Sequence, residues 1–238
     1  MSGAIIVGAS SGIGRALAQR LAESGYEVGL TARRQERLEA LGRELPTKSY
    51  VARMDVTEHD RARKIFEALT AEMESVDLVV LSAGVAPGNT AADWEPDRET
   101  IETNISGFAA LATKALTYFA EQGHGHLVGI SSLSAHIGLP HAPAYSGSKA
   151  FVSNYLQALR GAELVSEADI SITTIEPGYV DTELSFGGFW ECTPETAARQ
   201  IERAITKQRT HAYVPRRWWL VAAAISALPE SVTRSFVR

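Results

Sequence analysis

The sequence predicts an α/β protein: a doubly wound, parallel, seven-stranded sheet with helices on both faces, folded as a single domain over residues 1–238. Three observations carry this. Short apolar runs alternate with stretches of helical periodicity along the whole chain. The first run ends in a glycine-rich turn. The small and polar residues of chemical interest cluster where later runs end. Strand followed by helix throughout means parallel pairing with right-handed crossovers, and such sheets bind ligands at the carboxyl ends of their strands.

Taken in order, Ala4–Val7 is an apolar strand leading into Gly8-Ala9-Ser10-Ser11-Gly12-Ile13-Gly14, followed by the helical RALAQRLAESG with Gly25 closing it. Glycines at such a turn let the backbone approach a pyrophosphate, whose charge the helix N-terminus favours. The spacing is GxxxGxG, so a purely structural glycine turn stays open at this point. Glu27–Ala32 is the second strand and Arg34–Glu44 the second helix, with Leu38, Leu41 and Leu45 on one face. An acidic residue at this junction binds the ribose 2′-hydroxyl of NAD, whereas an Arg accommodates the 2′-phosphate of NADP. Arg33, followed by Arg34, stands there, so NADP(H) is expected over NAD(H).

Lys48–Arg53 reads as the third strand, ending at Asp55. Thr57 is expected to cap a helix from Glu58 to Met73, with Asp60 in capping-box position. Asp77–Leu81, an unbroken apolar run of the kind buried on both faces of a parallel sheet, ends in Ser82-Ala83-Gly84. The spacing predicts a helix over Arg98–Gln122, with Asn104 and Gly107 as poor helix formers that imply a local distortion. His126–Ser131 is the fifth strand and Ser171–Glu176 the sixth, the latter ending in Pro177-Gly178-Tyr179-Val180-Asp181-Thr182. Thr193 and Pro194 start a further helix as N-cap and first helical residue, and His211–Val214 is the seventh strand.

The stretch after the fifth strand carries the chemistry. A helix is expected from Ala144 to Leu164, placing Tyr145 in its first turn and Lys149 four residues on along the same face, above the apolar Val152, Leu156 and Leu159. A nearby ammonium is expected to lower the phenol pKa from its usual value of about 10. Ser132, at the strand end, offers a hydroxyl to the same oxygen. The competing interpretation of a lone YxxxK is an exposed Tyr and Lys on a surface helix.

Composition excludes several classes. Hydrophobic residues make up 45% and charged residues 21%, as in an ordinary globular protein. The net charge of −5 gives no general nucleic-acid footprint, so no nucleic-acid partner is expected. A single cysteine, Cys192, forms no intrachain disulfide and no metal-ligand cluster, so no metal site is expected and a reducing, cytoplasmic location follows. The N-terminus lacks a basic flank and an apolar run of signal-peptide length. The apolar stretch Trp218–Pro229 falls short of the ~20 residues that span a bilayer, so no transmembrane span is expected.

With these motifs in place, the sequence resembles the compact, single-domain branch of the short-chain dehydrogenase/reductase family, whose fold is Rossmann-type. Gly8, Gly12 and Gly14 match the family's cofactor turn, Asp55 its adenine-binding residue, and Ala83-Gly84 its Asn-Asn-Ala-Gly segment. Asn104, Ser132, Tyr145 and Lys149 match its catalytic tetrad, and Pro177-Gly178 through Thr182 the segment that holds the nicotinamide. The resemblance implies Tyr145 as general acid in reduction and base in oxidation. It implies Lys149 as ligand of the nicotinamide ribose and depressor of the Tyr145 pKa, Ser132 as polariser of the carbonyl, and Asn104 as holder of a relaying water. The cofactor set it implies is Gly8, Ser10, Ser11, Gly12, Ile13, Gly14, Arg33, Asp55, Val56, Ala83, Gly84, Pro177, Gly178, Val180 and Thr182, with Tyr145 and Lys149. Two departures stand out: Val7 where the family usually has Thr, and Leu81-Ser82 where it usually has Asn-Asn.

The expected activity is NADP(H)-dependent hydride transfer between the nicotinamide and a carbonyl or secondary alcohol of an apolar or mixed substrate. Alternatives are a 3-oxoacyl thioester reductase, which would require a basic entrance, and, outside enzymes, a dinucleotide-sensing binding protein. Residues 183–193, ELSFGGFWECT, carry aromatics around two glycines and are expected to form a substrate lid. Cys192 belongs to this lid, and His136 and His141 are expected as plain loop residues. In the segment 216–229, Trp218, Val221, Ala222 and Ile225 follow helical spacing while Trp219 and Leu220 widen the apolar face. Three coverings remain open for it: its own domain beside the lid, a homodimer or homotetramer interface, and peripheral contact with a membrane.

Overall fold

The structure is a computed structural model that describes residues 2–185, 187–229 and 232. Phe186 of the expected lid, and the ends of the expected 1–238 domain, lie outside the described residues. Seven strands form one parallel sheet in the order β3-β2-β1-β4-β5-β6-β7. They are β1 Gly3–Val7, β2 Glu27–Ala32, β3 Ser49–Arg53, β4 Leu78–Leu81, β5 His124–Ile130, β6 Asp169–Pro177 and β7 His211–Val214. The order reverses between β1 and β4, which opens a crevice beyond their carboxyl ends.

Strand residues alternate between faces, so a strand buried on both sides must be apolar at every position. Ala4 and Ile6 of β1 join Leu78 and Val80 on one face, under α1 (Gly12–Glu23), α2 (Gln35–Glu44) and α8 (Pro194–Thr206) through Leu17, Leu38 and Ile201. Ile5 and Val7 join Val79 and Leu81 on the other, under α3 (His59–Glu72), α5 (Phe108–Gln122) and α6 (Pro143–Leu159) through Phe66, Phe119 and Leu156. Phe66 and Phe119 are fully buried, and truncating either to Ala would cost about 3–5 kcal/mol.

Three elements differ from the sequence expectation. The single helix over Arg98–Gln122 is instead α4 (Trp94–Ile101), a π-helical turn at Glu102–Gly107, and α5. The wider turn is the distortion that Asn104 and Gly107 foretold. Helix α3 has Glu58, not Thr57, as N-cap, without a side-chain cap bond. Thr57 gives its N–H (3.0 Å) and hydroxyl (2.8 Å) to Asp55 Oδ1, an acceptor only two residues away that outcompetes the capping box. Helix α6 starts at Pro143, which the first helical turn tolerates, and stops at Leu159 before Gly161, with α7 (Glu163–Ser166) as a separate turn. Helix α8 begins as expected, with the Thr193 hydroxyl accepting from Thr196 N–H and Pro194 following it. The segment after β7 forms α9 (Trp218–Ala227).

Candidate active site

At the switch point the backbone of the first turn has no room for side chains. Gly8 has φ +94°, and a Cβ there would lie 2.6 Å from the backbone nitrogen of Ala83. Only glycine satisfies both the left-handed dihedral and this approach. Helix α1 then starts with Ser11 as N-cap, no side-chain cap bond and no acidic residue in its first turn. Its N–H groups and dipole are therefore available to an anion.

One cavity of about 540 Å³ takes in every residue of the expected cofactor set, from Gly8 to Thr182. Its volume falls in the ordinary range for a small-molecule site. Arg33 lines it, and the neighbouring Arg34 is anchored at the same end: its guanidinium donates to Ser11 Oγ (2.6 Å) and Ser10 Oγ (3.0 Å). Sequence spacing had put weight on Arg33, whereas the position that reaches the Ser10-Ser11 turn is Arg34. These residues fit a phosphorylated dinucleotide: a glycine cradle, an open helix terminus and an arginine–serine cluster on one path.

Ser132, Tyr145 and Lys149 line the same cavity, where β5 and α6 converge. Ser132 follows β5 and accepts a hydrogen bond from Ser134 N–H (3.1 Å) in the 3-10 turn Leu133–His136. Lys149 is buried, with its Nζ donating to the Ile130 carbonyl (2.9 Å) and lying 5.6 Å from the Tyr145 ring centroid. Burial lowers the Lys149 ammonium to about 8.

Tyr145 corrects the sequence expectation. Its phenol pKa is raised, because burial outweighs the opposing pull of the Ser132 and Ser134 hydroxyls. The ammonium that was to lower it is engaged with a backbone carbonyl instead.

Asn104 stands behind the cavity wall. Its Oδ1 accepts from Val85 N–H (2.9 Å), and its Nδ2 donates to the Val85 carbonyl (2.9 Å) and Ser148 Oγ (3.0 Å). It thus clamps the loop after Gly84 to α6 beside Lys149. Asn104 lies within the π-helical turn Glu102–Gly107, from which its amide reaches the Val85 backbone.

Sequence reasoning missed a buried carboxylate. Glu176, the last residue before Pro177, is 2% exposed and bonds His136 Nε2 (2.7 Å), Ser153 Oγ (2.7 Å) and His211 Nε2 (3.2 Å). Burial by itself would raise its carboxyl, but these bonds win and hold it at about 2. His136 is therefore not the plain loop residue expected. A carboxylate at the inner end of a strand that carries no other charge from Ile170 onward was the available signal. Burial raises the Cys192 thiol, which disfavours the nucleophilic thiolate.

The far end of the cavity is apolar. Leu133, Ile137 and Leu139 come from the turn after β5, Leu184 from the loop after β6, and Trp218, Val221 and Ile225 from α9. Trp218 is 4% exposed, and its indole lies so close to Gly178 that a Cβ there would be 2.2 Å from Nε1. Its ring also meets Tyr179 (5.7 Å between centroids) and Trp190 (5.9 Å). So the stripe Trp218, Val221, Ala222, Ile225 packs on its own chain beside the expected lid, while Trp219 and Leu220 stay exposed.

A doubly wound parallel sheet whose switch-point cavity joins a glycine turn to a Ser–Tyr–Lys cluster defines a dinucleotide-dependent oxidoreductase. Comparison with known proteins agrees. The short chain dehydrogenase family profile matches residues 2–187, and the chain belongs to that family. An uncharacterized oxidoreductase of Mycobacterium tuberculosis is 34% identical over 246 residues, covering 98% of this chain and 96% of the relative. The NADP-dependent 3-hydroxy acid dehydrogenase YdfG of Escherichia coli is 34% identical over 188 residues, 76% of this chain and 74% of the relative. Among solved structures, a short-chain dehydrogenase from Sphingobium yanoikuyae in complex with NADPH superposes with a TM-score of 0.82 at 23% identity, covering 97% of each chain.

Proposed function

We propose that this protein is an NADP(H)-dependent reductase of an apolar carbonyl compound, reversible as a secondary-alcohol dehydrogenase. The observation that carries the proposal is the convergence of Ser132, Tyr145 and Lys149 in the one cavity that also holds the glycine turn. The Arg34–Ser10–Ser11 cluster supports a 2′-phosphate, in keeping with the NADP dependence of the E. coli relative. When bound, NADPH supplies the hydride.

The remaining work falls to the chain. Because burial raises its pKa, the Tyr145 phenol carries its proton at neutral pH, the form needed to donate to a carbonyl oxygen accepting a hydride at carbon. Ser132 donates to the same oxygen and stabilises its developing charge. Lys149, positioned by the Ile130 carbonyl, would hold the nicotinamide ribose with its ammonium. Asn104 fixes the loop after Gly84 and the start of α6 at their working separation.

Substrate class follows from the far end of the cavity. Among the described residues lining the cavity, the lysines and arginines are Lys149, Arg33 and Arg34, the last two at the cofactor end. A free carboxylate or a phosphopantetheine arm would find no lysine or arginine beside the apolar wall, which favours a neutral apolar ketone or aldehyde over a thioester. The single cysteine and the use of a reduced dinucleotide fit a cytoplasmic enzyme, and exposed Trp219 and Leu220 fit assembly into a homodimer or homotetramer. The test is NADPH oxidation with a panel of aliphatic and aromatic ketones, aldehydes, 3-oxo acids and acyl thioesters. Turnover confined to charged substrates, or none at all, would remove the proposal.

A further inference from the structure

The arginine–serine cluster at the end of β2 already holds an anion, and that anion belongs to the chain. Arg34 Nη1 donates to Glu183 Oε2 (2.7 Å) while its other nitrogens bind Ser10 and Ser11. Arg37, nearly one turn further along α2, donates to Glu183 Oε1 (2.7 Å). The bonds from Arg37 and Arg34 hold the Glu183 carboxyl at about 2, so it is ionised throughout the physiological range. Arg33 lines the same cavity, and no side-chain hydrogen bond or ion pair of its own is seen among the described residues.

Two guanidinium groups converge on the single Glu183 carboxylate, and the Ser10 and Ser11 hydroxyls stand on the far side of one of them, bonded to Arg34. A phosphate monoester, with three terminal oxygens and close to two charges, matches the two guanidinium groups better. The position is where a doubly wound sheet presents the ribose 2′ substituent. Glu183 also begins the 183–193 stretch and follows Thr182, which packs against the glycine turn with Cγ2 3.0 Å from where a Gly12 Cβ would stand.

We propose that Glu183 is a specificity-determining residue that occupies the 2′-phosphate subsite until a 2′-phosphorylated nucleotide displaces it, and that displacement frees the start of the loop over the substrate end. The inference rests on the NADP(H) reading above. A nucleotide lacking the 2′-phosphate leaves the Arg34–Glu183–Arg37 bridge intact and the loop tethered. In binding, the competitor subtracts from the attraction of the phosphate; what the 2′-phosphorylated nucleotide alone gains is release of the loop.

The experiment compares 2′,5′-ADP with 5′-ADP, by calorimetric titration and by hydrogen exchange of residues 183–185, in the full chain and in Glu183→Gln. The side chain of Glu183 is 55% exposed, so the variant should fold, which a thermal melt checks. Losing the competitor should tighten 2′,5′-ADP by about three- to tenfold and move 5′-ADP by less than about twofold. In the unmodified chain, 2′,5′-ADP should speed exchange of the Leu184 and Ser185 amides, which bond to Thr182, and 5′-ADP should not. In Glu183→Gln that exchange should be fast without nucleotide. If both proteins prefer 2′,5′-ADP but the substitution leaves its affinity unchanged or weaker, the competition is overturned while the NADP(H) reading stands. If neither protein prefers 2′,5′-ADP, the cofactor reading fails and this inference fails with it.

Discussion

The two ends of the cavity are built on different principles. The cofactor end is backbone and charge: glycine positions fixed by close approach, an open helix terminus, and Arg34 braced on Ser10 and Ser11. The substrate end is side-chain shape, an apolar wall assembled from the turn after β5, the loop after β6 and α9. The first needs directional donors for an anion, so it tolerates little change. The second needs only apolar volume, so many sequences could furnish it and each would admit a different substrate. Ser132, Tyr145 and Lys149 sit where the two meet.

The sharpest test of that division is Tyr145→Phe. Removing only the phenolic oxygen should lower turnover by roughly 10³-fold with NADPH affinity within about twofold, measured by steady-state kinetics and calorimetry. Retained turnover would take Tyr145 out of the mechanism. Next in size is Arg34→Ala, which removes a charged donor to the phosphate and should raise the NADPH dissociation constant by about 10- to 100-fold with little change for NADH. An equal loss for both nucleotides would mean that Arg34 serves the turn and not the 2′-phosphate.

Ile225→Asn probes the other end. A polar group in the apolar wall should cut kcat/KM for an apolar ketone by about tenfold, while NADPH binding stays put. A matching loss of NADPH affinity would erase the distinction between the ends. Deleting α9 would open the substrate end, because Trp218, Val221 and Ile225 line the cavity.

The smallest effect concerns the polar seam beneath that wall. His136, raised above its ordinary value chiefly by its bond to Glu176, also meets Ser226 Oγ of α9 at 3.3 Å. A raised histidine contributes stability that is fully present below its unfolded pKa of about 6.5 and lost as pH rises through the folded value. Urea unfolding should therefore find His136→Gln less stable than the unmodified chain by about 0.5–1 kcal/mol at pH 6, with the gap closing toward pH 9. A gap independent of pH would assign His136 to packing alone.

By itself the sequence determined the sheet, the glycine turn and the Ser132–Tyr145–Lys149 cluster, because each depends on spacing within one strand–turn–helix unit. Period-two burial, a left-handed glycine and residues four apart on a helix are local geometry, and local geometry is written in adjacent residues. Even there, competing short-range bonds shifted details, as when Asp55 took Thr57 from its capping role.

Only the tertiary structure decided what joins segments far apart in the chain. It brought Glu183 across 149 positions to Arg34, Glu176 across 40 to His136, and α9 onto Gly178. It also set the Tyr145 pKa above its ordinary value, against the sequence expectation. The reason is physical: a pKa is the sum of burial and every neighbouring charge and donor, and residue spacing along one helix supplies only one of those neighbours.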